Sequence, residues 1–302
     1  IGNALADAAR AITDQVTIRR LEEYGERPLT ALPAKLREDL TAAQPTVTFY
    51  AAAAKKGEIA FRIELLPFLV RQLKVRHGHM PGIQPRLVMD GLRADYHRIA
   101  ALTLRITERV RLAKEIRVTN PYGTDLVAQF SPDLRWNPCP GIYHEQGQWG
   151  NLPEGETFTS PARVDGTLVV HELGDYFSEK YGVLDTPLTL TVEDSRVTAV
   201  RCARQEIAAE VDAYLTSTEN GNRAGEFAIG TNIGLTGLVG NLLQDEKLPG
   251  VHVAFGNPYP DETGATWRSK VHVDVIPLRC TIVVDGETIM RDGQFLPLYA
   301  GS

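Results

Sequence analysis

The sequence predicts an α/β protein in two parts. An N-terminal open α/β domain is expected over residues 1–118. A C-terminal mixed, mainly antiparallel, β-rich metal-binding domain is expected over 119–302. Three observations predict this. The chain has 302 residues, longer than one average domain. Its first part alternates helical with β patterning, as an open sheet flanked by helices does. From about Ile116 onward, short alternating runs dominate, the mark of half-buried strands.

The elements follow in order. IGNALADAARAI spaces its apolar residues helically, and RPLTALPAKLREDLTAA reads as a helix with a polar face. TVTFYAAAA reads as a buried strand. GEIAFRIELLPFLVRQLKV is half apolar, with Pro67 as its expected break. RHGHMPGI, with Lys74 and Arg76 ahead of His77 and His79, reads as a solvated basic loop. The competing reading of the two histidines is recognition of a substrate carboxylate or support of a metal ligand from behind. DGLRADYHRIAALTLRITERVRLAKE is the longest helical pattern, with Leu92, Tyr96, Ile99, Leu102 and Ile106 as its stripe. IRVTNPYGTDLVAQF then alternates and turns at Asn120–Gly123. The β-like runs RVDGTLVVHEL, PLTLTVEDSRVTAVR, GEFAIGTN, VHVAFG, KVHVDVIPL and TIVVDGETIM complete the chain, with one helix around Gln205–Thr216. Asp–Gly pairs at 165–166 and 285–286 are hairpin-turn signals.

Composition excludes several function classes. Apolar residues make 43% and charged residues 23%, which suits a globular protein. The net charge of -6 comes without a basic stripe, so nucleic acid is not an expected partner. No apolar run approaches the ~20 residues that span a bilayer, so a membrane is not expected either. Cys139, Cys202 and Cys280 form no CxxC pair, which argues against a thiolate zinc site or a disulfide framework and fits a reduced, cytoplasmic setting. Cys139 reads as structural. Ser160 and Ser269 lie in no nucleophile motif. GTNIGLTGLVGN lacks the context of a nucleotide loop and reads as a loop plus short helix behind the site. The N-terminus has no signal-peptide pattern, and the start at Ile1 suggests that residues precede it.

The chemistry gathers in four segments. In KVHVDVIPL, Val271, Val273 and Val275 share one strand face, and His272 and Asp274 the other. A His and a carboxylate side by side make a compact pair of metal ligands; a solvent-facing polar pair is the plainer reading. In VHVAFG, His252 stands opposite an apolar face beside the small Ala254. In GEFAIGTN, Glu226 interrupts an apolar strand, and a buried carboxylate needs a cation or strong donors; an ion pair with Arg201 or Arg223 would also serve. Glu156, in GNLPEGETFTSP, adds a carboxylate that, like Glu154, also suits a loop.

Together, GNLPEGETFTSP with the following VDG, AGEFAIG, LLQDEKLPGVHVAFGNPY and KVHVDV resemble the aminopeptidase T family of metallopeptidases over roughly residues 116–302. The family's functional positions fall on Glu156, Glu226, His252, Tyr259, His272 and Asp274. The resemblance implies a metallo-aminopeptidase that binds two divalent ions (zinc, cobalt or manganese), with Glu156, Glu226, His252, His272 and Asp274 as ligands. It implies Tyr259 as the catalytic residue that is not a ligand, a short peptide as substrate and a homodimer. A metal-bound water would be the nucleophile, and Tyr259 would donate to the oxyanion. GTDL at 123–126 is similar to a family segment, with Asp125 as a candidate partner of a metal-bound His or simply an Asx turn. The superfamily also extends to the iron-dependent 2,5-dihydroxypyridine dioxygenases. There His252, His272 and Asp274 alone would form the two-His, one-carboxylate face of a non-haem iron site.

Overall fold

The computed structural model describes residues 1–53, 55, 57–174 and 176–300. The fold is mixed α/β with two large antiparallel sheets. The chain divides into two compact units, 1–93 with 141–153, and 94–140 with 154–302. The division therefore does not fall at residue 118. Helix Tyr96–Val110 buries Leu102, Ile106 and Val110 in the same core as Ile116 and Val118 of strand Glu115–Thr119. That shared core draws residues 94–118 into the second unit. Segment 141–153 returns to the first, where Trp149–Asn151 pairs in parallel with Arg76–Pro81.

The first unit holds a three-stranded parallel sheet in the order Val47–Ala52, Arg76–Pro81, Trp149–Asn151. Its core includes Leu36, Tyr50, Phe61, Leu65, Phe68 and Val75. Pro67 does not break the helix it closes. Helix Ile59–Pro67 runs on as a π-helical turn over Phe68–Gln72. Proline takes one N–H out of the ladder, and the wider turn re-pairs the backbone through Leu73 N to Phe68 O at 3.0 Å. It also keeps Phe68, Leu69 and Val70 buried. RHGHMPGI is likewise a strand and not a solvated loop. His77 and His79 are buried, with His77 Nε2 3.2 Å from His79 Nδ1 and Thr48 Oγ1 2.8 Å from His77 Nδ1. Burial lowers the two imidazoles to about 4 and about 3, so they stay neutral and offer no charge to a carboxylate.

In the second unit, an eight-stranded sheet runs Arg196–Arg201, Leu188–Glu193, Arg163–Val170, Asp125–Gln129, Glu115–Thr119, Thr281–Val284, Glu287–Arg291, Gln294–Phe295. A six-stranded sheet runs Asn137–Cys139, Glu156–Thr159, Ala224–Gly230, Gly250–Gly256, His272–Ile276, Glu172–Leu173. Phe227, Ile229, Val251, Val253, Phe255, Val273 and Val275 of the second sheet share a core with Leu126, Leu168, Leu190 and Ile282 of the first. The expected turn at Asp285–Gly286 is present, whereas Asp165–Gly166 lies inside strand Arg163–Val170. A Cβ at Gly166 would sit 2.2 Å from Asp125 O, so this glycine serves close strand approach. Among the described residues no helix is long and apolar enough to cross a membrane.

Helix Tyr96–Val110 is capped by Asp95, whose Oδ1 accepts from His97 N at 3.0 Å and Arg98 N at 3.2 Å. Asp95→Ala is expected to cost about 1 kcal/mol, read as a fall in melting temperature; an unchanged melting temperature would show the cap to be idle.

Candidate metal centre

The site grows out of the register of the six-stranded sheet. Side chains directly opposite on paired antiparallel strands share a face. Each polar residue on the non-core face meets a small partner. Glu156 lies opposite Gly230, His252 opposite Ala228, Glu226 and Asp274 opposite Ala254, and His272 opposite Gly256. The alanines leave room for the larger groups, while neighbouring backbone closes over the glycines, with Leu248 O and Val271 O each 2.1 Å from where a Cβ of Gly230 or Gly256 would sit. Strands Ala224–Gly230 and Gly250–Gly256 are buried along their whole length, so these polar groups are desolvated and need partners.

They find them in each other. His252 Nε2 lies 3.4 Å from Glu226 Oε1, 3.6 Å from Glu156 Oε2 and 3.8 Å from Asp274 Oδ1. His272 Nε2 lies 3.7 Å from Glu226 Oε2 and 3.5 Å from Asp274 Oδ1. His272 Nδ1 donates to Asn257 O at 2.9 Å. That bond fixes the ring and turns Nε2 toward the carboxylates, the usual role of an outer partner to a metal-binding imidazole. Neither Arg201 nor Arg223 pairs with Glu226. Tyr259 holds a left-handed backbone at φ 48, uncommon for a residue with a side chain. Its ring centre lies 4.6 Å from that of His272.

Sequence reasoning missed a second charged layer beside this one. Lys247 is 1% exposed. Its Nζ lies 2.6 Å from Glu156 Oε1, 2.8 Å from Glu246 Oε1 and 3.1 Å from Glu154 Oε1. Gly230 lets the Lys247–Leu248 backbone approach closely, since a Cβ there would meet Leu248 O at 2.1 Å. Burial alone would lower the Lys247 pKa, but the three carboxylates more than reverse this and keep it charged. Burial in turn lifts Glu154 to about 7 against the pull of Lys247. Cys139, expected to be structural, stands opposite Glu156 on the neighbouring strand. The signal for this layer was the charged run Asp245–Glu246–Lys247 just ahead of a strand buried on both faces. Asp125, by contrast, is no part of the site. It is exposed and paired with Arg117 at 2.8 and 3.0 Å.

The donor set fits a metal ion. Glu226, His252 and Asp274 offer ligand atoms within 4.8 Å of one another. Carboxylates outnumber the one fixed positive charge, Lys247. Glu156 Oε2 is buried with no hydrogen-bond partner. Without a further cation the two imidazoles must carry protons instead. Burial alone would lower them, but Glu226 and its neighbours raise His252 to about 9, and Asp274 and Glu226 raise His272 to about 10.

Comparison with known proteins bears on the fold. The family model described as NicX: 2,5-dihydroxypyridine 5,6-dioxygenase matches residues 95–229. Among solved structures, the 2,5-dihydroxypyridine dioxygenase of Pseudomonas putida KT2440 superposes with a TM-score of 0.66 at 16% identity, over 99% of this chain and 89% of that one. Wild-type AmpT from Thermus thermophilus also gives 0.66, at 18% identity, over 96% and 85%. The fold is the one these two proteins share. A comparison with curated proteins finds no match.

Proposed function

We propose that the protein is an enzyme with one divalent metal ion per chain. In this reading it opens a dihydroxylated, nitrogen-containing aromatic ring with dioxygen. His252, His272 and Asp274 would hold the ion, with Glu226 beside them. One observation carries the choice: Glu156, the further carboxylate a two-ion site would use, already has its Oε1 on the Lys247 ammonium at 2.6 Å. What remains is two imidazoles and two carboxylates, Glu226 and Asp274; the imidazoles with one of these carboxylates make the ligand set of non-haem iron(II) oxygenases. The bound ion would supply Lewis-acid and redox chemistry at its open positions. The chain's own groups would do the rest. Asn257 O holds the His272 ring by its Nδ1–H. Glu226, which faces both imidazoles, would take a proton from an aromatic hydroxyl. The Tyr259 phenol borders the His272 ring and would hydrogen-bond a polar substituent of the substrate. The family-model match to 2,5-dihydroxypyridine 5,6-dioxygenase supports this substrate class.

The second reading is a metallo-aminopeptidase acting on short peptides through a metal-activated water. It is favoured by Glu156 Oε2, which still lies 3.6 Å from His252 Nε2. Two assays separate the readings. Iron(II)-loaded protein is expected to consume oxygen with 2,5-dihydroxypyridine and to leave aminoacyl-nitroanilides intact. Nitroanilide release with zinc, cobalt or manganese, and no oxygen uptake, would replace the first reading with the second.

A further inference from the structure

We infer that Lys247 serves as the second cation of this centre and limits it to one metal ion. A neutral residue at 247 would turn Cys139, Glu154 and Glu156 into ligands of a second divalent ion. The inference rests on the reading that the first ion sits at the His252–His272–Asp274 face.

The geometry is that of a two-ion site with an ammonium in one place. Glu156 reaches both positions, with Oε1 on Lys247 Nζ at 2.6 Å and Oε2 at 3.6 Å from His252 Nε2. A carboxylate used in this way is the bridge between two cations. Around the ammonium, Glu154 and Glu246 complete a set of three carboxylates at 2.6 to 3.1 Å. Cys139, Glu154 and Glu156 bring donor atoms within 4.8 Å of one another, a sulfur-and-oxygen set suited to a soft or borderline divalent ion. The lysine cannot swing aside easily. It is 1% exposed, and its backbone is tied by Asn232 N to Lys247 O at 3.0 Å. The side chain of Asn232 ties the same region to Glu154 O at 2.8 Å. One place cannot hold both an ammonium and a metal ion. Removing the ammonium leaves the carboxylates uncompensated in a buried setting, which is strongly unfavourable. A divalent ion restores that charge, and binding to the folded state alone stabilises it.

The test uses cadmium, which reports thiolate ligation by charge-transfer absorption. Wild type is expected to take up one ion per chain with no thiolate band. Lys247→Met should take up two, with the band, and Lys247→Met/Cys139→Ala should lose the band. Lys247→Met should also melt at a higher temperature when cadmium is present. Two ions or a thiolate band in wild type overturns the inference, and so does a folded Lys247→Met with one ion. If Lys247→Met folds only with cadmium, a count of two supports the inference; failure to fold even then counts against it, since the ion should replace the lost charge. Failure of the metal face itself would look different. In that case wild type carrying His272→Ala keeps its ion, whatever the difference between wild type and Lys247→Met.

Discussion

Replacing His252 with alanine is expected to remove metal binding and, with it, all activity. His252 Nε2 faces all three of Glu156, Glu226 and Asp274, at 3.4 to 3.8 Å. Loss of an outer partner of a metal ligand typically costs ~10–100-fold in affinity, so loss of the ligand itself should cost more than about 100-fold. Competition with a chromogenic chelator measures this. The variant also trades an imidazole for a cavity among three carboxylates, so its fold should be checked by circular dichroism. A folded His252→Ala with wild-type affinity would remove His252 from the site. Glu226→Ala is expected to bind metal more weakly and to lose activity under either reaction, because the same carboxylate faces both imidazoles.

A second large effect lies behind the site and depends on pH. Glu172 is fully buried; its Oε1 accepts from Ser178 Oγ at 2.8 Å. Asp245 Oδ2 accepts from the backbone N–H of Val239, Gly240 and Asn241 at 2.7 to 3.0 Å, which pins the loop ahead of Lys247. Glu172 Oε2 and Asp245 Oδ1 are both buried without a hydrogen-bond partner. Burial, then the neighbouring Asp245 carboxylate, raises Glu172 from 4.5 to about 9. The folded state therefore holds a proton that the unfolded chain releases once pH passes 4.5. Stability from this group is greatest at low pH and falls as pH rises toward 9, by at most about 1.4 kcal/mol per pH unit. In Glu172→Gln the carboxamide N–H donates to Asp245 and its oxygen accepts from Ser178, with nothing to titrate. The variant's melting temperature should gain on wild type steadily from pH 5 to pH 9. A difference that stays flat over that range would show that Glu172 is ionised in the folded protein.

The strands of the candidate metal centre were legible because their signal is local. KVHVDVIPL and VHVAFG alternate strictly, and a strand turns that alternation directly into two faces. The convergence of His252, His272, Asp274, Glu226 and Glu156 depended further on cross-strand register, which set Ala228, Ala254, Gly230 and Gly256 opposite them. Lys247 was missed, although its charged run stands just ahead of a fully buried strand. A lysine in Asp–Glu–Lys reads as solvated surface, and only tertiary burial among Glu154, Glu156 and Glu246 shows it as part of the site. Asp165–Gly166 misled for a related reason. The pair has the chemistry of a hairpin turn, but its glycine answers the approach of Asp125 O from the next strand. RHGHMPGI was misread because its charge sits at Lys74 and Arg76, while His77 and His79 are neutral and buried in a parallel strand. Helix Tyr96–Val110 was found as a helix, yet its place in the second unit followed from which core its stripe joins, which no window of sequence contains.

The most direct test of a single ion held by two histidines and a carboxylate is X-ray absorption at the iron edge of iron(II)-loaded protein. The expected spectrum has nitrogen and oxygen neighbours with the outer-shell scattering of two imidazoles, and no metal neighbour. A metal–metal distance of roughly 3.5–4 Å, as in two-metal sites, would contradict it.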